Sequence, residues 1–547
     1  MQIQQNLISI VTMLFLGLVL FSCSTPQQDA AQRVQHKADT SVAKKMRAMP
    51  QMLSTPMMQA ESYSMPISPV EVNRENYAHV ESNPIKLSRV EPVSTFSIDV
   101  DSGAYSNVRR MLNHGRLPLK DALRAEELIN YFSYHYPLPT DKQRPFSVTT
   151  EIAPSPWNKN NHLLHIGLKA YDLPVEKLPA SNLVFLLDVS GSMRDSMELL
   201  KSSLKLLSRQ LTEKDRVSIV VYAGASGLVL PPTAGNEWGK ISAALNQLQA
   251  GGSTNGGAGI QLAYEMAQQA FIEGGINRII LATDGDFNVG TVDFNALLDL
   301  VERKRQSGIS LTTLGLGQGN YNDALMEQLA DRGNGNYAYI DTLNEARKVL
   351  VDEVSSTLMT VAKDVKIQLE FNPEVVKEYR LIGYENRLLK REDFNNDKVD
   401  AGEIGAGHTV TALYEITLVG NSGSIDPLRY ATKKADNRTK KQSELAFLRL
   451  RYKLPEDEKS HLLKIPLQIT DIIPTLEKSS DRFRFSSAVA AFSDQLRGGK
   501  YSAEFSYADI LKLAQGARGE DLFGYRAEFV GLVRMAQALD SEPVRRP

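Results

Sequence analysis

Apolar and polar positions follow three regimes along this chain. Between residues 179 and 356, short apolar runs alternate with stretches of helical period. Leu183–Leu187, Arg216–Tyr222, Gly227–Leu230, Arg278–Thr283, Ser310–Gly315 and Tyr337–Ile340 predict strands. Met197, Leu200, Leu204, Leu207 and Leu211 recur at helical spacing, as do Ile260, Ala263 and Ala267 in a helix beginning near Gly257. Further helices are predicted over 237–249, 292–306, 322–331 and 343–356. Alternating strands and helices imply an α/β unit with a doubly wound, mostly parallel sheet covered on both faces. The short third strand, reached by a tight link, is expected as an antiparallel edge.

The flanks differ. Over 76–178, Ser94–Val100 alternates with period two and predicts a strand, and Ser102 or Ser106 is placed to cap the helix carrying Val108, Met111 and Leu112. A second helix includes Leu123, Leu128, Ile129 and Phe132, and strands are expected over Ser147–Ala153 and His162–Ala170. This region is expected as a small α+β domain. Over 357–547, Val365–Phe371, Glu378–Ile382, Thr409–Leu418 and Glu444–Tyr452 predict antiparallel strands, and Arg482–Leu496, Ala503–Gln515 and Asp521–Leu539 predict helices. A separate C-terminal domain, β-rich and then helical, follows. Residues 24–75, rich in Gln, Ser, Pro, Met and Ala, support no core and are expected as a disordered tether.

At 547 residues the chain is too long for one core. Its formal net charge of −2 gives no electrostatic reason to expect nucleic acid. The single cysteine, Cys23, excludes an internal disulfide and a cysteine-based zinc site. Leu7–Phe21 is apolar but short for a membrane span, and it predicts a signal peptide over 1–23. Leu20-Phe21-Ser22-Cys23 resembles a bacterial lipobox, although Met1–Asn6 carries no Lys or Arg. That resemblance implies lipidation of Cys23 and a membrane-anchored protein of the cell envelope. Ser24 after the cysteine, by resemblance to bacterial sorting rules, points to the outer membrane.

The chemistry concentrates at Asp188-Val189-Ser190-Gly191-Ser192, between the first predicted strand and its helix. In doubly wound sheets ligands bind beyond the carboxyl ends of strands where the order reverses. With an order 3-2-1-4-5-6, Asp188 and Asp284, the latter in Ala282-Thr283-Asp284-Gly285, end neighbouring strands. Thr254 lies in the loop Gly251-Gly252-Ser253-Thr254-Asn255-Gly256-Gly257, where glycines permit unusual dihedrals. Two carboxylates and three hydroxyls are hard donors that suit Mg2+, Mn2+ or Ca2+ rather than Zn2+. Two carboxylates balance a divalent charge, and weak hydroxyl donors leave the ion able to take an outside carboxylate.

These residues resemble the metal-ion-dependent adhesion site of von Willebrand factor type A domains, with D-x-S-x-S, a loop threonine and T-D-G in order. The resemblance implies that Ser190, Ser192 and Thr254 coordinate the ion, with Mg2+ the first choice, and that Asp188 and Asp284 act largely through water. It also implies a non-catalytic protein that binds a protein partner presenting Asp or Glu. Phe96–Ser102 and Ala401–His408 resemble the flanking domains of bacterial type A lipoproteins, whose molecular role is unsettled.

Other signals have plainer explanations. Asp393–Asp397 opens like a calcium loop, but Lys398 and Ile404 stand where Gly and Glu are needed. Ser202-Ser203-Leu204-Lys205 matches S-x-x-K, but no K-T-G follows. His162 and His165 point to opposite faces of a strand. Two alternatives to metal-mediated partner binding remain. A structural envelope scaffold would make its contacts through the outer domains. A metal-assisted hydrolase would need a general base near the ion, and the motif loops contain no histidine.

Overall fold

Every residue of Ser181–Asp188 is buried, as an apolar run at the centre of a parallel sheet requires. The computed structural model describes residues 75–98, 101–141, 144–253, 256–285, 294–319, 321–399, 401–426 and 443–541. The strand at the centre, β1 (Ser181–Asp188), pairs in parallel with β2 (Arg216–Tyr222) on one side and β4 (Ile276–Thr283) on the other. β3 (Ser226–Ala234) is the antiparallel edge beside β2, and β5 (Ser310–Gly315) and β6 (Tyr337–Tyr339) extend the sheet beyond β4. The order is therefore 3-2-1-4-5-6, as expected. Alternate residues of β1 face opposite cores. Leu183, Phe185 and Leu187 pack with α1 (Met197–Ser208) and α2 (Trp238–Asn246). Val184 and Leu186 pack with α3 (Gly256–Gln269), α4 (Phe294–Arg305) and α5 (Asp323–Arg332).

The flanking regions, expected as two separate domains, build one body together. Asn161–Ala170 pairs with Thr409–Leu418 over nine residues, and Val93–Ser97 pairs with Thr360–Phe371. One five-stranded antiparallel sheet runs in the order Lys86–Leu87, Val376–Ile382, Thr409–Leu418, Asn161–Ala170, Phe146–Pro154. The other joins Ile404–Gly405, Thr360–Phe371, Glu444–Lys453 and His461–Gln468, with Val93–Ser97 also on Thr360–Phe371. A shared core including Phe96, Ile166, Leu168, Ile367, Tyr414 and Leu448 makes them a β-sandwich. The outer face of the first sheet carries a helical layer in which Leu163 and Leu413 meet Phe483, Phe485, Phe492 and Phe529. The chain leaves this body near Leu173 and returns near Ser355, whose hydroxyl donates to the Leu173 carbonyl at 3.1 Å. The α/β domain is thus an insertion.

Local chemistry accounts for other departures. The helix Gly103–Asn113 has Ser102 at its N-cap position without a side-chain cap. The Glu127 carboxylate accepts from Ala104 N at 2.8 Å instead. The strand His461–Gln468, not foreseen, contains Pro466, which a sheet tolerates at its edge. The helix expected from Ala503 begins at Tyr507, because Ser506 and Asp509 form a capping box there. Residues 343–356, expected as one helix, divide into Leu343–Arg347, a π-helical turn Lys348–Asp352 and Val354–Leu358. No helix among the described residues is long and apolar enough to cross a membrane.

Candidate metal centre

The chain reverses direction at the carboxyl end of β1, and backbone geometry fixes the first carboxylate there. Asp188 is fully buried, and its Oδ1 accepts from the Ser190 amide at 2.8 Å. This bond closes the turn before the 3-10 helix Gly191–Ser196. Across the β1–β4 ladder, Thr283 Oγ1 donates to Asp188 Oδ2 at 2.8 Å and accepts from Gly285 N at 3.1 Å. One threonine hydroxyl thus links both carboxylate-bearing loops. Asp284, one residue beyond Thr283, is also fully buried.

The hydroxyls follow Asp188 in the same turn. Ser190 is buried and Ser192 is exposed, with their Oγ atoms 3.1 Å apart. Cis oxygens around Mg2+, each at roughly 2.0–2.1 Å, are ~2.9 Å apart, so this pair fits adjacent positions of such a shell. The glycine-rich loop is tied to the same turn. Gly251 N donates to Val189 O at 2.7 Å, and Gly191 N donates to Gly252 O at 3.1 Å. Gly252 adopts φ +88, a left-handed conformation that favours glycine. Thr254 lies outside the described residues, as do Cys23 and residues 24–74 of the expected tether.

Electrostatics favour a cation here. Burial raises the Asp188 carboxyl above its ordinary range, its hydrogen bonds to Ser190 and Thr283 oppose that, and the Asp284 charge adds to it. Burial and the Asp188 charge likewise push the Tyr222 hydroxyl, on β2, well above the usual phenol range. Two buried carboxylates on adjacent strand ends are costly as a pair of anions, and a divalent cation offsets both. Among the described residues no group of three or more His, Cys, Asp and Glu side chains is placed to hold a metal.

The structure brings together Asp188, Ser190 and Ser192, places Asp284 on the adjacent strand end, and adds contributors not singled out from the sequence. Thr283 was visible in the T-D-G motif, but its bond to Asp188 depends on β1–β4 register. Gly317, after β5, is the other. A Cβ on it would lie 3.1 Å from Asp284 Cβ, and its φ of +85 suits glycine. The weaker candidates stay apart from this site. Ser202 lies within α1, and Asp393 lies in a 3-10 turn, Arg391–Asn395. His165 is buried against Tyr136 and Ser486 in the helical layer.

Residues 182–353 match the family model of the von Willebrand factor type A domain. Residues 71–165 match a model described as von Willebrand factor, and residues 356–539 match one for the C-terminal part of the uncharacterised protein YfbK. YfbK of Escherichia coli (strain K12) is 50% identical over 471 residues, covering 85% of this chain and 81% of YfbK. The uncharacterised protein sll0103 of a Synechocystis strain is 29% identical over 195 residues, 36% of this chain and 45% of that protein. A solved von Willebrand factor type A structure from Catenulispora acidiphila is 14% identical with a TM-score of 0.40, covering 76% of this chain and 99% of that one.

Proposed function

Because this chain belongs to the YfbK family, built around a von Willebrand factor type A domain, we propose that it is a non-catalytic binding protein that captures a protein partner through a divalent cation. The cation would be held by Asp188, Ser190, Ser192, Thr254 and Asp284, with Mg2+ preferred and Mn2+ or Ca2+ as substitutes. The observation that carries this reading is the pairing of two buried carboxylates with two hydroxyls 3.1 Å apart at the sheet's switch point. When bound, the ion supplies an electrophilic position for an acidic side chain of the partner. The protein's part is to hold the donors rigid. Thr283 and the Ser190 amide orient Asp188, while the hydroxyls of the buried Ser190 and the exposed Ser192 sit 3.1 Å apart.

The same proposal places the protein in the bacterial cell envelope, anchored through a lipid on Cys23 and facing from the outer membrane. Its support is the sequence around that cysteine. Replacing Cys23 with Ala should move the protein from the membrane to the soluble fraction of lysed cells, and unchanged fractionation would count against the anchor. The binding reading is tested by recovering partners from membrane-containing lysate in Mg2+ and in EDTA. Partners should be recovered in Mg2+ and lost both in EDTA and with Asp188→Ala. Equal recovery in EDTA would remove the metal from the account.

A further inference from the structure

The parallel sheet has a second end, distant from the metal centre. Arg278, third in β4, sits there, five residues from Thr283 and so ~17 Å away along the strand. It is only 4% exposed. One guanidinium nitrogen, Nη1, donates to Thr312 Oγ1 at 2.6 Å, while Nε has no hydrogen-bond partner among the described residues. Burial draws this guanidinium down to about 10, and Glu403 is the charge that opposes the fall. A buried cation held by one neutral hydroxyl is an unusual expense for a fold, since buried charges are normally paired.

Arg278 lines a cleft of about 390 Å³, a size suited to a small organic ligand. One wall is the α/β domain, through Arg278, Arg305 and Asn334; the other is the sandwich, through Thr360, Lys398 and Glu403. Five cationic side chains face three acidic ones around it. Arg332 is paired with Glu302, and Arg387 with Asp331 at 2.7 Å. Arg305 donates to Asn334 Oδ1 at 2.7 Å. Cationic side chains still outnumber acidic ones around the lining, so the cleft is cationic.

We propose that this cleft binds a small molecule bearing an oxyanion, a phosphate or carboxylate group, with Arg278 as its buried anchor and the exposed Lys398 at its rim. A guanidinium offers a planar fork of donors that matches such oxygens, and the unused Nε–H belongs to that fork. Because the two walls come from different domains, the anion bridges them and stabilises their junction by mass action. This site is independent of the metal centre.

The test titrates the full chain calorimetrically with inorganic phosphate and, separately, with citrate, at an ionic strength fixed with chloride. Thermal unfolding is followed in parallel. One oxyanion should bind saturably and raise the unfolding temperature while chloride does not, and which one does so names the group. Arg278→Leu removes a buried charge that has no carboxylate partner, so it should fold, and it should weaken binding at least about tenfold. Lys398→Ala, an exposed change that leaves the fold intact, should weaken it about threefold or more. Asp188→Ala should leave it unchanged. Failure of both oxyanions to bind, or wild-type affinity in the Arg278→Leu and Lys398→Ala proteins, would overturn the proposal.

Discussion

Thr283 is the side chain on which the geometry around Asp188 and Asp284 converges. It donates to Asp188 Oδ2 and accepts from the amide that follows Asp284. Thr283→Val keeps the shape and removes the hydroxyl, leaving a buried carboxylate oxygen without its donor. The free energy of unfolding in EDTA should fall by about 1–3 kcal/mol. Denaturant unfolding measures this, and an unchanged value would show that Asp188 does not rely on Thr283. The grouping of Asp188, Ser190 and Ser192 on one turn, with Asp284 on the adjacent strand end, was legible because those residue types stand in short stretches at two strand ends. Thr283's role was not, because a hydroxyl's partner depends on which strand lies alongside. Arg278 left no signal at all: an arginine near a strand's start reads as solvent-exposed until the opposite wall of its cleft is known.

At the scale of elements, the packing of Asn161–Ala170 against Asp481–Arg497 makes a second kind of prediction. His165 sits between Tyr136 Oη at 2.5 Å and Ser486 Oγ at 3.0 Å, fully buried. Burial, reinforced by Arg482, lowers its imidazole to about 3 from an ordinary 6.5. The folded state therefore holds the neutral ring while the unfolded chain takes up a proton below about pH 6.5. Stability from this site is complete above that pH and is lost as pH falls toward about 3, at up to about 1.4 kcal/mol per pH unit. His165→Gln should flatten the fall in stability between pH 6 and 4 relative to wild type. Parallel profiles for the two proteins would contradict the buried neutral ring. The elements of the α/β domain were readable because each strand and its covering helix are close in sequence and have different periods. The edge strand His461–Gln468 was hidden by Pro466, and the start of Tyr507–Gly516 by a cap that competes with helix-compatible residues before it.

For the whole molecule, the order of domains in the sequence differs from their construction in space. The periodicity of Asn161–Ala170 shows that it is a strand with two faces. It carries no mark of its partner Thr409–Leu418, some 250 residues later. Pairing across that separation made two regions that look independent into one sandwich. Residues 357–547 alone should therefore not fold, since their strands lack both Asn161–Ala170 and Val93–Ser97. Replacing 175–354 by a short Gly/Ser linker should leave a folded but less stable sandwich, because Leu173 and Ser355 are already in contact while Arg109 loses Asp341 and Glu345. Near-ultraviolet circular dichroism with cooperative thermal melting distinguishes the two. A folded 357–547 fragment, or an unfolded linked variant, would contradict the insertion. Contacts across the junction are strong: Arg109, 2% exposed, pairs with Asp341 and Glu345 of the inserted domain and with Glu528 of the last helix. The inserted domain is thus rigidly seated on the sandwich.

Binding of a divalent cation at the end of β1 is the property on which the proposed function depends. Calorimetric titration of Mg2+ into metal-free protein, with Ser192→Ala and Asp284→Asn beside it, decides the matter. Ser192 is exposed, so its loss leaves folding intact. The wild type should bind one ion per chain, and each substitution should weaken binding at least about tenfold. Equal Mg2+ affinity in all three proteins, or no Mg2+ binding by the wild type, would contradict it.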